Sequence, residues 1–228
     1  MKANYLAATS FVLAASLMLT TTAGAYEREK TSGGVPLSWH TLPVPYSINS
    51  VCSGDDTPAE SCQAAVKAGY STWGQQECTD YNFSEPVITD STETGQDNQN
   101  LIVWRSSDWH FGNSVLGMTT LTYDDKTGEI VDADIEINGQ DWEWRVLTTT
   151  SAKYIDIQTV VVHESGHIVG LDHSTDPSAV MYFSSKAGHI KRDLAQDDID
   201  GVCTIYPKSK PEPPPSGGGG CSVVSVGI

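Results

Sequence analysis

Apolar and polar positions alternate with two different periods along this chain. Residues 130–137 (IVDADIEI) alternate apolar and acidic side chains, which predicts a strand with one buried and one solvent-facing side. Shorter apolar runs predict three further strands, at residues 44–49, 100–105 and 115–123.

Helical spacing appears in two segments. In residues 59–77, Ala65, Val66, Tyr70 and Trp73 recur at intervals close to a helical turn, and Pro58 suits a helix start. Residues 152–169 predict a second helix. Strands followed by a long helix predict a mixed α/β or α+β domain.

The two ends of the chain differ from the middle. Lys2, the apolar run 11–19 and the small residues Ala23-Gly24-Ala25 predict a signal peptide over residues 1–25. The apolar run is too short for a membrane span, which needs roughly 20 residues. We therefore expect an exported chain that begins at Tyr26. Residues 208–228 (Pro- and Gly-rich) cannot build a core, so they predict a disordered tail.

Charge limits the partners. Lys and Arg number 13 and Asp and Glu 29, for a net charge of −16, which argues against a nucleic-acid or anionic-membrane partner. Calcium is a further candidate cofactor without assigned ligands. In residues 124–128, Lys126 stands where a calcium loop needs an oxygen, so these residues predict a turn.

All five cysteines follow the predicted cleavage site, where disulfides persist. Cys221 lies in the predicted tail and is the natural unpaired one. Cys52, Cys62, Cys78 and Cys203 can pair in three ways, among which sequence does not choose.

Three histidines and a glutamate lie together in residues 163–173 (HESGHIVGLDH). His163 and His167, four apart on a helix, share one face and can reach one zinc ion at roughly 2.0–2.1 Å. Gly170 can end the helix in the left-handed conformation and return His173 to that ion. Glu164 lies beside the open metal position, where it can act as general base.

This motif, HExxHxxGxxH, resembles the signature of the metzincin metallopeptidases, and residues 163–182 are similar to their matrixin branch. The resemblance implies a zincin fold with a twisted, mostly parallel sheet, an active-site helix and a small C-terminal subdomain after the zinc-binding helix. It implies a catalytic domain over residues 35–207, preceded by a short segment, 26–34.

The resemblance also implies roles for further residues. Met181 and Tyr182 would form a Met-turn beneath the zinc ligands, braced by Asp197 and Asp198 of the last helix. A substrate-pairing edge strand would comprise Val115, Leu116, Gly117, Met118 and Thr119.

This sequence departs from the family pattern in several places. No cysteine lies between Tyr26 and Trp39 to cap the zinc, and residues 110–113 are too short for the loop of a second, structural zinc. We therefore expect one catalytic zinc ion in a bacterial-type secreted member. The surroundings of Cys221 weakly resemble bacterial surface-sorting tails, which leaves cell-surface attachment as an alternative to a free end.

The sequence thus predicts a secreted, monomeric zinc endopeptidase without a membrane span, which acts on proteins or peptides. The alternative is a non-catalytic, zinc-stabilised secreted binding protein with the same fold. Cleavage preference would depend on residues 183–195, whose conformation the sequence does not determine.

Overall fold

The computed structural model describes residues 24–53, 57–184 and 188–209. Residues 1–23 of the predicted signal peptide, and the predicted tail from residue 210 with Cys221, lie outside these ranges. Within the described residues, no helix is long and apolar enough to cross a membrane. The elements are β1 (Glu27–Arg28), β2 (Ser47–Asn49), α1 (Ala59–Gly74), β3 (Val87–Thr89), β4 (Leu101–Arg105), β5 (Gly117–Tyr123), β6 (Ile130–Asn138), β7 (Trp144–Arg145), β8 (Ile155–Asp156), α2 (Ile157–Val169), β9 (Leu171–Asp172) and α3 (Gln196–Ile205).

The main sheet has five strands in the order β3-β2-β4-β6-β5. The first four strands run parallel, with Ile102 opposite Ile135, whereas β5 is an antiparallel edge strand on β6. Apolar side chains from β2, β4 and β6 enter one core with both long helices, as burial on a mostly parallel sheet requires. The predicted α+β fold with a mostly parallel sheet is confirmed.

Close packing joins α1 to α2. At Gly69 an added Cβ would lie 2.7 Å from Cγ1 of Val161, so only glycine allows this approach. Trp73 of α1 donates from Nε1 to the carbonyl of Val162 at 3.0 Å. These contacts hold α2 beside the sheet, and α2 also packs against β5 and β6.

Four predicted boundaries are wrong at one end. The strand predicted from residue 44 begins at Ser47. The second helix begins at Ile157 rather than 152, because the Asp156 carboxylate accepts from Thr159 N and caps it. The first helix ends at Gly74 rather than 77. The edge strand begins at Gly117 rather than 115.

The predicted solvent-facing side of β6 is also wrong, because Asp132 and Asp134 are both buried. The chain before β4 covers them: Gly95 N donates to Asp134 Oδ2 at 2.6 Å, and Leu101 N to Asp134 Oδ1 at 2.9 Å. Residues 124–128 do form the predicted turn, in which Asp124 Oδ1 accepts from Lys126 N at 2.9 Å.

Two disulfides join the four cysteines of the described domain. Cys52 pairs with Cys62 at the start of α1, and Cys78 pairs with Cys203 of α3. The second bond joins the small C-terminal part, after α2, to the chain that follows α1.

Candidate metal centre

Helix α2 carries the first two histidines and ends where the chain must turn. Gly170 is its C-cap in the left-handed conformation, with φ 101° and ψ 19°, and its N–H bonds back to Gly166 and His167 carbonyls. An added Cβ there would lie 2.8 Å from the carbonyl oxygen of Leu37. Glycine is therefore required both by conformation and by space.

The turn brings His173 to the other two histidines. Ring centroids are separated by 5.1 Å for His163 and His167, 5.3 Å for His163 and His173, and 4.9 Å for His167 and His173. One ring nitrogen from each lies within 4.8 Å of the others. Three imidazoles at this separation can ligate one ion and leave a position open.

Backbone carbonyls orient two of these rings. His163 Nδ1 lies 2.8 Å from the carbonyl oxygen of Val180, and His167 Nδ1 lies 2.9 Å from that of Leu171. A carbonyl oxygen only accepts, so each Nδ1 carries the hydrogen and each Nε2 offers its lone pair to a metal. This donor set fits zinc.

Electrostatics keep the ligands neutral at two positions. Burial, with help from His167, lowers the pKa of His163 to about 3. Burial also lowers the pKa of His173. For His167 burial acts in the same direction, but the carboxylates of Glu29 and Glu164 outweigh it and raise the pKa.

Glu29 stands beside the metal centre, although no sequence pattern pointed to it. Its Oε1 lies 3.3 Å from Nδ1 of His167. Strand β1 positions Glu29, because Arg28 pairs with Leu171 of β9 and Glu29 N donates to Gly170 O at 3.0 Å.

Glu164 lies on α2 next to the histidines, and its side chain is buried. Thr119 Oγ1 donates to Glu164 Oε2 at 2.7 Å. Burial raises the pKa of Glu164 above its ordinary value. A buried carboxylate that favours proton uptake suits a general base beside a metal.

The cluster opens onto a cavity of about 550 Å³. All five residues of the predicted edge strand line it, but only Gly117, Met118 and Thr119 belong to β5. Asn138 holds the other two, donating from N to Leu116 O at 2.9 Å and from Nδ2 to Val115 O at 3.0 Å.

The predicted Met-turn lies behind the histidines. An added Cβ on Gly166 would lie 2.2 Å from Met181 Sδ, so Met181 packs directly on α2. Tyr182 forms an isolated parallel β-bridge with Ser174. Asp198 accepts from Val180 N at 2.7 Å and Met181 N at 3.0 Å. Asp197 Oδ2 accepts from Ser174 Oγ at 2.6 Å.

A mostly parallel sheet with an antiparallel edge strand, an HExxH helix that ends at a left-handed glycine, and a third histidine beyond it define a metzincin-like fold. The family model described as Matrixin matches residues 38–207. The chain belongs to the matrixin family.

Individual relatives agree with this assignment. Metalloendoproteinase 5-MMP of Arabidopsis thaliana is 36% identical over 91 residues, covering 40% of this chain and 23% of the relative. Neutrophil collagenase of Homo sapiens is 29% identical over 200 residues, covering 82% and 38%. Metalloendoproteinase 1 of Glycine max is 51% identical over 51 residues, covering 22% and 17%. The chain thus spans less than half the length of each, and these plant and animal proteins do not support the bacterial-type assignment.

Proposed function

We propose that this protein is a secreted zinc-dependent endopeptidase. One observation carries the proposal: three histidines placed to ligate one ion and the buried Glu164 carboxylate line the same cavity. Membership of the matrixin family and the names of its relatives support it.

Each residue of the centre has a proposed task. His163, His167 and His173 would hold the zinc through their Nε2 atoms. When bound, zinc supplies a Lewis acid for the peptide carbonyl and lowers the pKa of water at the site. Glu164 takes the proton of the attacking water and then returns it to the leaving nitrogen of the cleaved bond.

The substrate would be an extended peptide. Among the described residues β5 pairs with β6 on one side, so the other edge of its first three residues, Gly117 to Thr119, offers backbone groups to a peptide beside the cavity. The cavity continues past Tyr182 and Lys191, where it can take a side chain next to the scissile bond. The predicted determinant of preference, residues 183–195, is described except for residues 185–187.

Replacement of Glu164 tests the mechanism. Glu164→Gln and Glu164→Ala remove the base but no metal ligand, so we expect both variants to retain zinc and fold while cleavage falls by about 10²-fold or more. Zinc content, circular dichroism and cleavage of a peptide library, with and without a chelator, provide the measurement. Wild-type rates in either variant would refute the role of Glu164.

The same assay addresses the alternative function. A wild-type protein that binds zinc and unfolds cooperatively, but cleaves no peptide in the library, would favour the zinc-stabilised binding protein over the peptidase. No contact in the described residues favours that alternative.

Export and the chain ends belong to the proposal. Cleavage before Tyr26, one catalytic zinc ion and a monomer are expected, and the bacterial-type assignment and surface attachment through Cys221 stay predictions. Mass spectrometry of the exported protein would show the N-terminus and any cleavage or lipid at Cys221.

A further inference from the structure

The side chain of Thr119 faces α2. Its hydroxyl lies 2.7 Å from Oε2 of Glu164 and 3.1 Å from the backbone oxygen of the same residue. Across the part of the chain that the structure describes, Thr119 is the only hydrogen-bond partner of this carboxylate. A hydroxyl that donates to a carboxylate forms a short, charge-assisted bond, so this contact holds Oε2 firmly.

The second oxygen of Glu164 is left for chemistry. Oε1 has no hydrogen-bond partner among the described residues, and it is not buried. Because Glu164 lines the cavity, Oε1 is accessible from the cavity. Gly117, two residues before Thr119 and on the same face of β5, leaves room for it. An added Cβ on Gly117 would lie 2.8 Å from Oε1.

We propose that Thr119 is a positioning residue for the general base, which it holds by Oε2 so that Oε1 points at the attacking water. The inference rests on the proposed peptidase function. A glutamate side chain has three rotatable bonds, whereas a threonine is restricted at its single side-chain torsion and is anchored here in a strand. The hydrogen bond from Thr119 therefore restricts the motion of the Glu164 carboxylate relative to the sheet.

A purely structural role predicts the opposite ranking of variants. If Thr119 only filled space between β5 and α2, Thr119→Val would be harmless because it keeps the shape, and Thr119→Ser would lose packing. If the hydroxyl positions Glu164, Thr119→Val fails and Thr119→Ser restores function.

The experiment compares the wild-type protein with Thr119→Val, Thr119→Ser and the control Thr120→Val. Thr120 is exposed and points to the opposite face of β5. For Thr119→Val we expect kcat to fall about 10- to 100-fold, since a misplaced catalytic group costs this much. We expect KM to change less than about twofold, because the hydroxyl is hydrogen-bonded to Glu164 and the proposed pairing with a peptide uses the backbone of Thr119. Zinc affinity by chelator competition and the melting temperature should match the wild-type values.

Thr119→Ser should keep kcat within about threefold of the wild-type value, and Thr120→Val should match the wild-type protein. A full rate for Thr119→Val alongside an active wild-type enzyme would overturn the positioning role alone. Loss of zinc affinity or stability in Thr119→Val, or a rate for Thr119→Ser as low as that for Thr119→Val, would also overturn it. A zinc-loaded wild-type protein that cleaves no peptide would overturn the proposed function and this inference together.

Discussion

The imidazole of His167 has two acceptors at Nδ1, and they come from distant parts of the chain. The carbonyl oxygen of Leu171 lies 2.9 Å away, and the carboxylate of Glu29 lies 3.3 Å away. Carboxylates behind a ligand histidine fix its ring and raise its basicity, so their loss weakens metal binding. Glu29 thus extends the metal centre into the N-terminal segment.

We predict that Glu29→Gln lowers zinc affinity about 10-fold. The amide keeps the shape but removes the charge that faces Nδ1, while the Leu171 carbonyl still orients the ring. Competition with a chelator measures the effect. Glu27→Gln is the control, because Glu27 lies two residues before Glu29, on β1, and is exposed. Equal affinities for both variants would show that Glu29 does not support the metal.

The sequence predicts the three histidines of the centre but not Glu29, for a physical reason. A four-residue spacing on a helix places His163 and His167 on one face whatever surrounds them. Glu29 reaches His167 only through the pairing of β1 with β9, which is a tertiary contact without a local pattern. The contact of Thr119 with Glu164 likewise depends on how β5 lies against α2.

At the scale of one element, β6 places the carboxylate of Asp132 in the protein interior. Neither oxygen of Asp132 makes a hydrogen bond of good geometry with the described residues, and the nearby backbone N–H groups of Asn98 and Gln99 offset only part of the effect of burial. Burial, and then the charges of Asp134 and Asp97, raise the pKa of Asp132 from 3.8 to about 6. Because the folded pKa lies above the unfolded one, the native state binds the extra proton between these values, and its stability falls as pH rises through 6.

We predict that Asp132→Asn stabilises the protein above pH 6 and not near pH 4. The difference in pKa corresponds to at most about 3 kcal/mol, so we expect a gain of about 1 to 3 kcal/mol at pH 7.5. Urea unfolding in calcium-free buffer across pH 4 to 8 measures it. Asp125→Asn removes an exposed carboxylate and serves as the charge control. A gain of the same size at pH 4 would refute the pKa argument.

Periodicity predicted where the longer elements are, but not where they end. Apolar spacing located α1, α2 and β6 because each buries a full face. The start of α2 depends on one side chain, the Asp156 cap. The alternation in β6 predicts which way its side chains point but not their burial, because burial depends on the chain before β4 that covers the second face.

On the scale of the whole molecule, Asp197 joins three parts of the chain. Its Oδ1 accepts from Ala25 N at 2.5 Å and Tyr26 N at 2.8 Å, and its Oδ2 accepts from Ser174 Oγ. The N-terminal segment, the chain after His173 and α3 therefore meet at one buried carboxylate. The order of these parts in the sequence did not predict the junction, just as it did not choose among the three cysteine pairings.

The hydrogen bonds of Asp197 affect the metal centre through strand β1. Strand β1 begins immediately after Tyr26 and carries Glu29 toward His167 by pairing with β9. If Asp197 is lost, the start of the segment is released, and the two residue pairs of β1 with β9 and the backbone hydrogen bonds of Glu29 with Gly170 and Leu37 remain to hold it. Fraying of β1 withdraws Glu29, so a change at α3 should be measurable as weaker zinc binding.

We predict two effects of Asp197→Ala. Unfolding free energy should fall by about 2 to 4 kcal/mol, because in a chain that begins at Tyr26 the N-terminal amino group and the Ser174 hydroxyl lose a charged acceptor. Zinc affinity should fall several-fold in the wild-type background but hardly at all in Glu29→Gln, since both changes remove the same contact. Asp200→Ala, an exposed position on α3, is the control for both measurements. Additive losses of zinc affinity in the double variant would mean that Asp197 acts on the metal centre by a route other than Glu29. A loss of stability with unchanged zinc affinity in Asp197→Ala would mean that Asp197 contributes to folding alone.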